Sequence, residues 1–507
     1  MGHFRNSLSL SLATLGLAPV ILGVTSARAV AIDPQSLRNH GDLLAVDQES
    51  SGLSIQDPAQ IVAQDISEES TPLSLPPEDL LADPNPLAYP TSVEEVEIDE
   101  TREITLEEAI ELAYANSQDL QAALLELEQA EAGLAEARAA YRPTVTSAAD
   151  VTARETDSVD TVFGSTGSDG IDTTLNAAVQ LDYDLFTSGQ RVANLRAAKE
   201  QVRFSELEVS RRQEELRLTA ATLYYDLQES GEQIRINGAF LDEAQQNLRD
   251  NRIRQEEGVG TRFDVLRAEV QFANARQALI QSQSQQRIAR RDLARLLNLP
   301  PRLGIRSTAV ERAEDWTLSL EESIVAALEN RGELEQQLRQ REIAQQQARA
   351  IRAGNRPQVG LFANYSWSDL LDDSSDDYQF GARIDWILTD GGRARSQARQ
   401  QELAASIAEE SFAETVDQVR FQVEESYYTL RANEENIETA RVAVNQAREA
   451  LVLANLRLDA GVGTQLDVLT AQSELADAEG NLVSALLGYN RALAALQRAV
   501  SNLRTTL

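Results

Sequence analysis

One unit written twice limits this chain's fold more than any other feature. Leu106-Glu107-Glu108-Ala109-Ile110 returns 214 residues later as Leu320-Glu321-Glu322-Ser323-Ile324. The offset holds through Ala113/Ala327, Asn116/Asn330, Leu120/Leu334 and Arg142-Pro143/Arg356-Pro357. It is 202 where Thr187-Ser188-Gly189-Gln190-Arg191 matches Thr389-Asp390-Gly391-Gly392-Arg393. It is 203 for Tyr224-Tyr225/Tyr427-Tyr428 and for Gly258-Val259-Gly260-Thr261/Gly461-Val462-Gly463-Thr464. A near-constant offset marks a duplication. The drop places a 12-residue excess between Pro143 and Thr187, where Gly164 to Gly170 reads as a loop. The expected units are a first repeat over 105–300, a linker over 301–318 and a second repeat over 319–507.

Each repeat reads as helix, strand, strand, helix, helix. The first helix is expected from about Thr105 to Ala140, stopped by Arg142-Pro143. A long helix follows from about Ser188 to Glu257, ended by Gly258-Val259-Gly260. Thr261 then caps the next helix, to about Asn298. The second repeat gives 319–353, 391–460 and 464–503. Val423, Leu430, Ile437, Val444, Leu451 and Leu458 stand seven apart, as do Leu227, Ile234, Leu241 and Leu248. That period makes a left-handed coiled-coil seam, with small companions at Ala440, Ala447 and Ala454. A helix of roughly 70 residues spans about 100 Å, and two of about half that length stacked beside it would give a wall of even height.

The strands alternate. Leu175, Ala177, Val179, Leu181, Tyr183 and Leu185 are separated by Asn176, Ala178, Gln180, Asp182 and Asp184. Phe380 to Leu388 and Val359 to Trp367 do the same, with Phe362 an exception, while Thr144 to Arg154 alternates weakly. Such strands suit a transmembrane β-barrel, and Trp367 and Trp386, with Tyr365 and Tyr183, fall on the apolar face as a membrane girdle needs. An antiparallel sheet on a soluble core gives the same alternation. A membrane reading also requires an oligomer, since four strands cannot close and an open edge cannot sit in lipid. Two chains would pool eight strands and three would pool twelve.

The N-terminus favours export. Arg5 precedes an apolar run from Leu8 to Val24, and Ala27-Arg28-Ala29 is an A-x-A cleavage site, so residues 1–29 read as a signal peptide. Residues 30–104 hold eight of the 13 Pro and 17 acids against Arg38 and Arg102. This acidic, Pro-rich extension is expected to be disordered. No later run is long and apolar enough for a membrane helix.

Composition removes other functions. The net charge of −35 argues against nucleic acid as partner. With no Cys, and with both His, His3 and His40, near the start, thiolate or imidazole metal sites and nucleophile pairs have no material deeper in the chain. No phosphate loop or Ser-His-Asp set is present, so no enzyme, cofactor or metal site is expected.

The duplicated helix–strand–strand–long-helix–helix unit, with Gly461-Val462-Gly463-Thr464-Gln465-Leu466-Asp467-Val468-Leu469 and its counterpart at Gly258, resembles the TolC family of outer-membrane efflux ducts over residues 105–507. The resemblance implies a mainly α chain whose four strands are pooled in a homotrimeric 12-stranded barrel in outer-membrane lipid. It implies a coiled-coil tunnel in the periplasm of a Gram-negative-type cell, serving tripartite efflux or type I secretion. Partners would be a periplasmic adaptor and, through it, an inner-membrane pump. The turns Gly258, Val259, Gly260, Thr261 and Gly461, Val462, Gly463, Thr464 would dock the adaptor at an iris-like closed tip. Asp264 and Asp467 would line its constriction, and Arg262 could pair with an Asp of a neighbouring helix. Thr470 stands where the best-known members carry a second acid. The rival is a periplasmic coiled-coil adaptor or scaffold protein, which would have one helical hairpin rather than two.

Overall fold

The structure is a computed structural model that describes residues 80–500, apart from 82–84, 86–88, 99, 157–158, 162–163, 167–169 and 371–372. The expected signal peptide and most of the acidic extension lie outside the described residues. In chain order the elements are β1 (Glu100–Ile104), α1 (Leu106–Asn116), α2 (Gln118–Ala139), β2 (Thr144–Thr156), β3 (Val159–Thr161), β4 (Gly164–Thr166) and β5 (Gly170–Phe186). Then come α3 (Gln190–Glu256), α4 (Arg262–Leu296), β6 (Leu303–Ser307), α5 (Leu320–Asn330), α6 (Gly332–Gly354), β7 (Gln358–Leu370), β8 (Asp373–Asp385), α7 (Arg393–Asp459) and α8 (Gln465–Val500). The duplication is visible at once: α3 and α7 each have 67 residues.

The lateral order of strands and helices is the same. The sheet runs β2-β5-β7-β8, antiparallel throughout. The helices that continue these strands pack in the order α2-α3-α6-α7. In the half of the wall away from the sheet, α4 packs on α3, α3 on α8, and α8 on α7. Two shorter helices thus stand end to end beside each long one, as the lengths required.

Four expectations need correction. The first helix of each repeat is broken in two. Ser117 (φ −68°, ψ 119°) leaves the helical region and its side chain accepts from the Leu120 N–H, starting α2. Arg331 (φ −67°, ψ 115°) breaks the second repeat at the matching place. Order begins before 105: Glu100–Ile104 form β1, which pairs parallel with β6, inside the expected linker. Ile104 and Ile305 are fully buried between the helices, and that burial outweighs the acidic composition around β1. The loop expected at Gly164 to Gly170 contains β4, paired with β3. Trp386 lies just past the end of β8, because side-chain alternation runs on after backbone pairing stops.

The seams are buried as the heptads predict. Val423, Leu430, Ile437, Val444 and Leu451 are buried, and Leu458 packs beside Val468 of α8. In α3, Leu227 and Leu248 are buried while Ile234 and Leu241 are half-buried. This helix has neighbours on two sides, so its contact face also takes Ile236 and Ala244. The main core lies midway along the wall, where α1, α3, α4 and the β1/β6 pair meet around Leu112, Tyr224, Leu293 and Leu297. Tyr224 donates to the Ile104 carbonyl at 3.1 Å and accepts from the Thr308 N–H at 3.1 Å, tying the strand pair to the long helix.

Candidate functional site: the glycine turns and the apolar sheet face

Each long helix ends in the same latch. Gly258 and Gly461 stand at φ +75° and +74°, where a Cβ is disfavoured. The N–H groups of Val259 and Gly260 then donate to the Arg254 carbonyl at 2.9 and 2.8 Å, and those of Val462 and Gly463 to the Arg457 carbonyl at 3.0 and 2.9 Å. The second glycine of each turn is needed for space. A Cβ on Gly463 would lie 2.9 Å from the Leu458 nitrogen, and one on Gly260 3.0 Å from the Arg254 Cβ.

Thr261 and Thr464 start the next helices, and here Asp264 and Asp467 acquire a definite task. The Thr261 N–H donates to the Asp264 carboxylate at 3.2 Å while the Asp264 N–H donates to the Thr261 hydroxyl at 3.2 Å. The same reciprocal pair joins Thr464 and Asp467 at 2.8 and 3.2 Å. These are capping boxes with Asp at the third helical position. The Thr464 N–H and hydroxyl, with Arg457 nearby, hold the Asp467 carboxyl below its ordinary range. Each acid therefore puts a fixed carboxyl group at a helix N-terminus, at this end of the wall.

Arg262 and Thr470 are both exposed. Ion pairs at this end come from residues the sequence reading passed over. Arg254 reaches Asp459 at 3.1 Å, joining the first hairpin to the second. Arg252 pairs with Glu269 at 2.8 Å across α3 and α4. Gln465 donates to Asn247, again between hairpins. The repeat itself held the signal, since Arg254 and Arg457 occupy matching places and both carry the latch carbonyl.

At the other end, the sheet exposes its apolar face. Register lines up Val145, Leu181, Ala363 and Phe380 in one row across the four strands, and Ser147, Val179, Tyr365 and Tyr378 in the next. Phe380 is 79% exposed, Ile384 72% and Val151 69%, so among the described residues this face has no covering layer. Tyr365 is exposed on it, and Trp367 and Tyr183 are half-exposed. The opposite face carries Gln180, Asn364 and Gln379 in one row, and Arg383 pairs there with Asp182 at 3.4 Å. Phe362, the exception to alternation, lies on this polar face. Its ring covers Gly381, where an added Cβ would sit 3.0 Å from the ring edge. An apolar outer face and a polar inner one, in strands continuous with long helices, is the arrangement of a membrane channel wall.

The family model for outer membrane efflux proteins matches residues 109–299 and 323–502. The chain belongs to that family. Among its relatives, the outer membrane efflux protein BepC of Brucella suis is 27% identical over 394 residues, covering 75% of this chain and 82% of BepC. The alkaline protease secretion protein AprF of Pseudomonas aeruginosa is 27% identical over 254 residues, 48% of this chain and 52% of AprF. Among solved structures, VceC of Vibrio cholerae superposes with a TM-score of 0.67 at 22% identity, covering 78% of this chain and 95% of VceC. The MtrE channel of Neisseria gonorrhoeae gives 0.63 at 20% identity, covering 78% of this chain and 88% of MtrE. As an efflux-family member the chain is an outer-membrane transport protein, a non-enzymatic class, with its helical part in the periplasm.

Proposed function

We propose that the chain is the exit duct of a tripartite efflux or type I secretion system. Three copies pool twelve strands into a barrel in outer-membrane lipid, and their helices form one tunnel through which solutes or polypeptides leave the periplasmic side. The observation that carries this reading is the shared lateral order of strands and helices under an uncovered apolar sheet face. A wall built so is continuous from sheet to helix tip, and its sheet is stable in lipid only when closed.

The two glycine turns form the periplasmic tip in this proposal and dock the helical hairpin of an adaptor, which links the duct to an inner-membrane pump. Val259 and Val462, 79% and 71% exposed, offer apolar contacts for that hairpin. Six capping carboxylates, Asp264 and Asp467 from each of three copies, set a negative field at the mouth when the tip is closed like an iris. Trp367, Trp386, Tyr365 and Tyr183 act as the aromatic girdle. The part of the acidic extension that precedes β1 serves as a spacer, and residues 1–29 as the export signal.

The adaptor or scaffold reading is disfavoured by the exposed apolar sheet face, which has no place in a water-soluble hairpin protein. Fractionation followed by mass measurement of the detergent-purified particle tests the proposal. A trimer extracted only by detergent supports it, whereas a monomer released by a salt wash overturns it.

A further inference from the structure

The zone where helices meet the sheet has its charge inverted. The whole chain holds 81 Asp+Glu against 46 Lys+Arg. Yet the four segments at the strand–helix junctions, 136–142, 187–200, 345–357 and 389–400, carry eleven bases against three acids. Several arginines farther along the wall meet carboxylates, as where Arg211 reaches Glu208 at 2.5 Å and Glu215 at 2.8 Å. At the junction, Arg196, Arg349 and Arg356 line one open groove between the start of α3 and the end of α6. Among the described residues these three form no ion pair; only Arg352, in the same groove, is paired, with Glu402. Guanidinium groups gathered this way repel one another. In a chain so rich in acids, an unneutralised cluster calls for an anion from outside.

Its position identifies the anion. The groove includes Ser188 and Arg356, which flank the ends of β5 and β7, and Leu185, Trp386 and Leu388 at the same ends of the strands are all exposed. Arg191 marks the same level. Its guanidinium lies 4.8 Å from the Tyr141 ring centre and 6.0 Å from that of Tyr183, and donates to the Ala140 and Leu185 carbonyls. Aromatic rings and long basic side chains at the edge of an apolar band form the pattern of a membrane–water interface. At that depth the concentrated anions are lipid phosphates, and a planar guanidinium binds a phosphate through two parallel hydrogen bonds.

We infer that this belt binds the phosphate groups of anionic phospholipids in the periplasmic leaflet, with Arg196, Arg349 and Arg356 as its principal site. The belt fixes the depth at which the sheet sits. The inference rests on the membrane reading of the sheet face and is independent of how many copies close the barrel.

The test uses the full-length protein inserted into phosphatidylglycerol or phosphatidylcholine vesicles, extracted, and weighed with its bound lipid by native mass spectrometry. The variants are R196Q/R349Q/R356Q and the charge-keeping R196K/R349K/R356K. Wild type is expected to retain phosphatidylglycerol over phosphatidylcholine, and the Gln variant to lose about fivefold in that preference per arginine removed. The Lys variant should keep most of it. Equal retention by wild type and the Gln variant overturns the inference. So does a Gln variant whose only change is in displacement by free inorganic phosphate or in anion conductance, since the groove would then serve solutes. Wild type that inserts into neither vesicle refutes the membrane reading itself, a separate outcome.

Discussion

Substitutions at the two glycines of the second turn separate conformational strain from steric exclusion. Gly461 has φ +74° and nothing within 4 Å of where a Cβ would stand. Alanine there meets no atom and loses only through its left-handed backbone, at a cost of roughly 1–2 kcal/mol. Asparagine enters that region more readily, so Gly461→Asn costs less. Gly463 is the opposite case. Its Cβ would stand 2.9 Å from the Arg457 Cβ and the Leu458 nitrogen. Alanine there forces the turn away from the helix and weakens the bonds that Val462 and Gly463 make to the Arg457 carbonyl. Overpacking of this kind costs about 1–3 kcal/mol.

Hydrogen exchange on peptides spanning 457–468 reads these costs directly, because local opening governs exchange there. A loss of 1–2 kcal/mol raises the open population about 5- to 30-fold. The expected order of exchange is wild type slowest, then Gly461→Asn, then Gly461→Ala, with Gly463→Ala at least as fast as Gly461→Ala. If the proposed tip is correct, basal conductance in a planar bilayer rises in the same order. Gly461→Asn exchanging as fast as Gly461→Ala would refute the strain argument, and Gly463→Ala behaving like wild type would refute the steric one.

Asp467→Asn keeps the Thr464 hydroxyl cap and removes the charge, so cation selectivity should fall at neutral pH, read as the reversal potential under a salt gradient; an unchanged potential removes Asp467 from the constriction. Because its folded pKa lies below the ordinary 3.8, the capping contribution of Asp467 is fully present at neutral pH. It begins to fade only near that value and is lost as pH falls through the folded pKa, so hydrogen exchange at the tip should be flat with pH, after correction for intrinsic rates, down to the onset of that titration. Arg331→Ala should destabilise the chain by about 3–5 kcal/mol in thermal melts, since it strips one partner from a buried pair. Its guanidinium is 2.9 Å from Glu333, donates to the Ala499 carbonyl at 3.2 Å, and leaves Glu333 with Arg498 alone when removed. Burial works against ionisation of Glu333, yet the Arg331 contact holds its pKa below the ordinary value, so a melt like wild type's would mean the pair is idle. Gly381→Ala should lower the heat resistance of the purified particle by pushing the Phe362 ring aside, and Phe362→Ala in the same chain should restore part of it. Equal loss in the single and double variants would show that the ring and the glycine do not interact.

The periodic parts of this chain were legible because duplication and heptads repeat the same statement many times. Val423 to Leu458 and the strand rows needed no tertiary information. The breaks at Ser117 and Arg331 carry only short local signals, Asn116-Ser117 and Asn330-Arg331-Gly332, set inside a pattern that is otherwise helical on both sides. They depend on contacts far along the chain: Asn116, next to the first break, donates to the carbonyls of Leu80 and Leu297 at 2.8 and 3.0 Å. The parallel pair β1/β6 escaped for the same reason, as two five-residue strands some 200 residues apart have no local signature. The capping role of Asp264 and Asp467 was readable in Thr-x-x-Asp. The resemblance directed notice to the constriction instead, and the same carboxylates can serve both, since a capped acid still carries its charge.

The two lateral edges of a single chain are unlike, and this decides what kind of assembly can close it. One edge is β2 with α2 and α4, all from the first repeat; the other is β8 with α7. Exposed apolar side chains gather on both, Leu266, Val270 and Ile280 on α4 and Ile407, Phe421 and Val452 on α7. Unlike edges join head to tail, which generates a closed ring, whereas a dimer made across one edge alone would join like to like and leave the other edges open. The joint also has a template inside the chain. At the internal boundary β5 pairs antiparallel with β7, while α3 packs against α6 and α8. Shifted by one repeat, the same contacts pair β8 with β2 of the next copy and set α7 against its α2 and α4. The Tyr pairs record this difference of surroundings. Both are edge-to-face, at 6.1 and 6.2 Å, yet Tyr224 and Tyr225 are buried while Tyr428 is 60% exposed. In the proposed ring Tyr428 faces the neighbour, where its counterpart Tyr225 already faces the second half of its own chain. Duplication thus supplies the interface geometry once within the chain, and the proposed ring reuses it between copies.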